Sequence, residues 1–87
     1  MKDNQEQSRF ENEVEGRIVF ANYRREGNVV SITYVEAPPE LRGSGAAGAL
    51  MQDIVDDARA KGYKLYPICG YAVSWLRRHD EYNDLLA

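Results

Sequence analysis

Pro38-Pro39-Glu40-Leu41-Arg42-Gly43-Ser44-Gly45-Ala46-Ala47-Gly48-Ala49-Leu50-Met51 is the stretch on which the fold turns. Neither proline can donate a ladder hydrogen bond, so a strand must end before them. Beyond the glycines, Ala47, Leu50, Met51, Ile54, Val55 and Ala58 recur at the i, i+3, i+4, i+7 spacing of one buried helical stripe. Gln52, Asp53, Asp56, Asp57 and Arg59 fall on the other side, with Asp57 and Lys61 as an i,i+4 pair, and Gly62 follows where a left-handed cap is wanted. A strand therefore passes through a glycine-rich turn into a helix. At such a junction several N–H groups lack an intrahelical partner, and the helix dipole adds partial positive charge, which suits an anion such as phosphate. Glycine at 43 and 45 lets the backbone approach a ligand closely, and Arg42 adds a charged donor. Spacing alone equally allows a turn that only packs the helix on the sheet.

Working outward, residues 29–35 are rich in β-branched side chains and form the strand that the prolines end. Arg25-Glu26-Gly27-Asn28 is a hairpin turn, and residues 17–23 form the strand before it, apolar on both faces. Residues 9–14 alternate weakly, giving a first strand, and residues 1–8 read as a flexible N-terminal tail. After the helix, residues 63–68 are a short strand and residues 71–79 a second helix burying Ala72, Trp75 and Leu76. Asp80 and Glu81 can cap a last turn. The order β-β-β-α-β-α predicts an α+β fold, a mixed and mostly antiparallel sheet with helices packed on it.

The 87 residues make a single domain, taken as residues 9–87 after the tail. Self-association into a homodimer, or a bound cofactor, would add usefully to the stability of so small a core. A net charge of −3 gives no field for nucleic acid phosphates, so no nucleic acid partner is expected. No apolar run approaches a membrane span and the N-terminus lacks an apolar signal core. Cys69 is the only cysteine, which excludes an internal disulfide and a paired-cysteine metal site and points to a reducing, cytoplasmic compartment. His79 has no acidic or cysteine neighbours at ligand spacing, so no metal site is assigned. Arg77 and Arg78 suit either a ribose phosphate or the helix dipole.

No Gly-Lys-Ser/Thr follows the turn, so it is not a Walker loop. Gly43 to Gly48 fits G-x-G-x-x-G, but the prolines end the strand upstream and the chain is too short for a dinucleotide fold. Arg42-x-x-Gly45-x-Ala47 matches instead the Gln/Arg-x-x-Gly-x-Gly/Ala signature of the GNAT superfamily of N-acetyltransferases. Together with Pro67-Ile68-Cys69 and Arg78-His79-Asp80-Glu81-Tyr82, it resembles a small stand-alone branch of that superfamily, across about residues 9 to 86. The resemblance implies a minimal acetyltransferase that binds acetyl-CoA through Arg42, Gly43, Ser44, Gly45, Ala46 and Ala47 and acylates an unidentified amine. It places Cys69 beside the thioester, either as the acyl-accepting nucleophile or as a pocket wall.

Cys69 stands at a strand end before a helix, where ligands bind in open sheets and where a thiol gains thiolate character. In the resembling family a His-Thr pair ends the third strand; here Tyr34-Val35 takes those places, and Gly70 replaces a residue that is often proline. Tyrosine is a poor base at neutral pH, so the expected role for Tyr34 is a general acid for the leaving thiolate, or merely an aromatic on a pleated sheet. Two alternatives remain beside catalysis: an acyl-CoA-binding module without turnover, and an interaction domain whose glycines only pack.

Overall fold

The structure is a computed structural model that describes residues 1–87. Its elements run β1 (Lys2–Asn4), β2 (Arg9–Val14), β3 (Arg17–Glu26), β4 (Val29–Glu36), α1 (Ala46–Lys61), β5 (Lys64–Pro67) and α2 (Gly70–Arg78), with 3-10 turns at Pro39–Leu41 and Asp80–Leu85. The five strands form one sheet in the order β1-β2-β3-β4-β5. Neighbours are antiparallel as far as β4, and β5 returns parallel to β4 after the α1 crossover. The expected α+β architecture is therefore the observed one.

Two differences concern the strands. The first eight residues carry β1, which adds an edge strand through pairs such as Asp3 with Phe10. Its polar side chains hide it from hydrophobic patterning; it is held instead by the Tyr23 hydroxyl, which donates to Asp3 Oδ1 at 2.6 Å. Strand β3 is apolar on both faces, as expected, but only one of them is covered. Val19, Ala21 and Tyr23 are buried beneath the helices, whereas Ile18 is exposed on the opposite face. Both helices pack on the inner face, so the outer face of the sheet has no layer over it.

The core joins Phe10, Val19, Val30, Ile32 and Leu65 of the sheet to Leu50, Met51, Ile54 and Val55 of α1 and to Ala72, Trp75 and Leu76 of α2. Helix α1 ends as the sequence predicts, with Gly62 left-handed and its N–H donating to Ala58 O at 2.8 Å. Its aspartates are more than a solvated face. Asp53 accepts from Asn12 on β2, and Asp57 accepts from the Tyr63 hydroxyl as well as pairing with Lys61. His79 stacks on Trp75 with ring centroids 3.8 Å apart, and its Nδ1 lies 2.7 Å from Trp75 O. The last turn forms without a side-chain cap from Asp80 or Glu81. No helix is long and apolar enough to cross a membrane.

Candidate functional site

The sheet opens beside the glycine turn. Pairing of β4 with β5 stops at Ile32 and Pro67. The Ile68 and Cys69 amides both close onto Ile32 O, at 2.9 and 3.2 Å. Residues 33–36 of β4 then run on with no partner on the β5 side. A bulge reinforces the divergence: Asn22 pairs with Tyr34 but Tyr23 with Ile32, which leaves Thr33 as the extra residue. β4 thus runs on beyond the end of β5, and Cys69 stands where the pairing stops.

The glycine turn lies beside this unpaired end of β4 and shares a cleft with Val35. Gly43 and Gly45 have φ of 81° and 88°, left-handed values that favour glycine, and Gly45 is the N-cap of α1. The helical ladder starts with the Ala49 N–H on Gly45 O at 2.9 Å, and Ser44 Oγ accepts from the Ala46 N–H at 3.3 Å. The N–H groups of Gly43, Gly45, Ala47 and Gly48 have no hydrogen-bond partner in the protein. They border a cleft of about 420 Å³ lined by Val35, Ala37, Leu41, Arg42, Gly43, Gly45, Ala46, Ala47, Gly48 and Tyr71. Arg42 reaches over its rim, held by Nε on Ala37 O at 3.2 Å. Unpaired N–H groups at a helix start beside an arginine form an anion cradle, and the cleft behind them is mostly apolar.

Of the residues singled out from the sequence, Arg42, Gly43, Gly45, Ala46 and Ala47 line the cleft, while Ser44 braces the turn through Oγ on Leu41 O at 2.5 Å. Cys69 and Tyr34 stand outside the lining. Cys69 is half-buried, and its Sγ accepts the Ala72 N–H at 3.4 Å as the N-cap of α2. Tyr34 faces the uncovered side of the sheet, its ring 6.3 Å from that of Phe20. Its hydroxyl donates to Glu36 Oε1 at 2.6 Å. That carboxylate, which accepts the hydroxyl's hydrogen bond, raises the Tyr34 pKa.

Two groups were not legible in the sequence as site residues. Tyr71 lines the cleft with a hydroxyl that bonds to no protein group, and burial raises its pKa. Glu36 ends β4 with one carboxylate oxygen taking the Tyr34 proton and standing 3.9 Å from Arg42 Nη2, while the other has no partner. Arg77 lies on the far side of α2 from the cleft, in a small hollow with Pro67 and Leu86, and Arg78 is tied to Ser74.

A family model described as GCN5-related N-acetyl-transferase matches residues 9–85, and the chain belongs to that family. Its fold is similar to the solution structure of a GCN5-like protein from Staphylococcus aureus, with a TM-score of 0.69 and 22% sequence identity over 90% of this chain and 87% of that one. No curated protein matched.

Proposed function

We propose that the protein transfers an acetyl group from coenzyme A to a primary amine. The observation that carries this reading is the set of four unpartnered N–H groups, from Gly43 to Gly48, bordering a cleft beside the unpaired end of β4. In this reading the N–H groups and Arg42 would hold the pyrophosphate, and the apolar cleft beside Val35 and Ala37 would receive the pantetheine arm. Acetyl-CoA supplies the activated thioester. Cys69 Sγ would take the acyl group, its thiol proton passing to the departing coenzyme thiolate, and the amine would then displace Sγ, which takes back the proton that the nitrogen loses. The Ala72 N–H stabilises charge on Sγ in both steps. Tyr71, whose hydroxyl bonds to no protein group and stands beside Gly48, would hydrogen-bond the bound coenzyme. The unpaired thiol of Cys69 suits a reducing, cytoplasmic setting.

Thermal melting with and without acetyl-CoA tests the cofactor. Ligand at ~100 times Kd should add about 2.7 kcal/mol, a rise of roughly 10 °C or more in a domain of this size. An unchanged melting curve at millimolar acetyl-CoA removes the cofactor from the reading.

A further inference from the structure

Gly48 is the one glycine within α1, and the fold does not call for it. Its φ is not among the left-handed values that Gly43 and Gly45 adopt. A Cβ at Gly48 would meet Trp75 Nε1 at 3.5 Å and the Tyr71 hydroxyl at 3.6 Å, both ordinary van der Waals contacts. Alanine would therefore fit the folded chain and favour the helix, where glycine is the least suitable residue after proline. Neither packing nor backbone conformation accounts for the missing side chain.

The atoms around that space supply a reason. Trp75 is only 4% exposed, yet its indole N–H donates to no protein group. The bond that Trp75 makes outside the helix ladder uses its carbonyl, 2.7 Å from His79 Nδ1. A buried indole N–H ordinarily finds an acceptor. No sealed polar side-chain atom of the protein lacks a partner, so Nε1 keeps an opening to the surface. That opening lies by Gly48, which lines the cofactor cleft together with Tyr71. The Tyr71 hydroxyl and the Gly48 N–H are unpartnered as well. Stacking on His79 at 3.8 Å and on Tyr82 at 5.9 Å fixes the indole plane, so its donor is already aimed before a ligand arrives.

From this arrangement we infer that the space at Gly48 is a second phosphoryl subsite of the cleft, where Trp75 Nε1 and the Tyr71 hydroxyl donate to one phosphoryl oxygen of the coenzyme. The inference rests on the cofactor reading above. A pyrophosphate has two phosphoryl groups: Arg42 with the Gly43 and Gly45 amides takes one, and Gly48, Tyr71 and Trp75 take the other. The first turn of a helix favours an anion over a neutral carbonyl, and N–H or O–H donors to a charged oxygen make the stronger hydrogen bonds. Gly48 lacks a side chain because a methyl group would fill the space that this oxygen needs. Trp75 is a positioning residue: it orients the cofactor and exchanges no bond with the acyl group.

The test follows the indole resonance of the nitrogen-15-labelled protein, which is a single signal because Trp75 is the only tryptophan. It should shift on titration with coenzyme A and also with inorganic pyrophosphate. Gly48→Ala should melt a few degrees higher than wild type without ligand, bind coenzyme A about tenfold more weakly, and leave the indole resonance unmoved. Affinity equal to wild type in Gly48→Ala overturns the inference, and so does a lower melting temperature, which would make Gly48 a packing residue. An indole resonance that stays still while the Gly43 and Gly45 amides shift also overturns it and leaves the cofactor reading intact. An indole that responds to pantetheine and not to pyrophosphate overturns the phosphoryl assignment. If coenzyme A moves none of the turn amides, the cofactor reading fails and this inference falls with it.

Discussion

Sγ of Cys69 takes the Ala72 N–H at 3.4 Å, so any substitution there acts on a helix cap as well as on chemistry. Serine separates the two, because its hydroxyl can accept the same N–H while being a far weaker nucleophile. Cys69→Ser is expected to keep the melting temperature and acetyl-CoA binding and to lose turnover by about 100-fold or more, the scale of a missing nucleophile. Undiminished turnover in that variant would make Cys69 a cap and a pocket wall. The sequence could single out Cys69 because it is the only cysteine and follows a strand. It could not single out Tyr71 among six tyrosines, since no spacing reveals which phenol the packing of α2 beside Gly48 brings to the cleft. Glu36 was hidden for a similar reason: its place follows from the bulge at Thr33 and the early end of β5, neither of which leaves a periodic signal.

At the scale of elements, the turn into α1 carries the cofactor reading, and two glycines with the same backbone conformation test it. Gly45 and Gly62 have φ of 88° and 79°, one at each end of α1, and a Cβ at either meets no protein atom within 4 Å. Alanine at each should cost about 1 kcal/mol of strain. Only Gly45→Ala should also weaken acetyl-CoA binding, because only that Cβ stands over the cleft; parallel melting and titration of the two variants check this. The edge strand β1 gives a pH prediction. Burial, and then the Asp3 carboxylate, push the Tyr23 pKa up to about 12. A tyrosine with a folded value above its unfolded value near ~10 adds stability that is complete below that unfolded value and is lost as pH rises through the folded one. Tyr63, raised by burial and by Asp57, acts in the same direction. Denaturant unfolding should therefore show wild type losing more stability than Tyr23→Phe between about pH 10 and 12; parallel curves would mean that the Tyr23 proton does not hold the strand. No pattern marks β1, because Lys2-Asp3-Asn4 is polar throughout and its anchor on Tyr23 is distant along the chain.

Across the whole molecule, the alternation of strands, the helical stripe of α1 and the glycine turn were enough to read a mixed, mostly antiparallel sheet with one crossover, because each is a local pattern. The bare outer face was not legible. Ile18 and Phe20 made β3 look covered on both sides, and only the placement of both helices on one layer shows that it is not. The result is a sheet with two unlike sides, a mostly apolar cleft beside the start of α1 and an open aromatic and acidic face at the end of β4. The claim on which everything else depends is that the turn from Gly43 to Gly48 holds the pyrophosphate of coenzyme A. Amide-resolved NMR of the protein titrated with coenzyme A tests it most directly. The account predicts that the Gly43, Gly45, Ala47 and Gly48 N–H resonances shift most, with Tyr71 and Val35 following. Shifts centred instead on the polar hollow around Asp3, Arg24 and Lys61, or no shifts at millimolar coenzyme A, would contradict it.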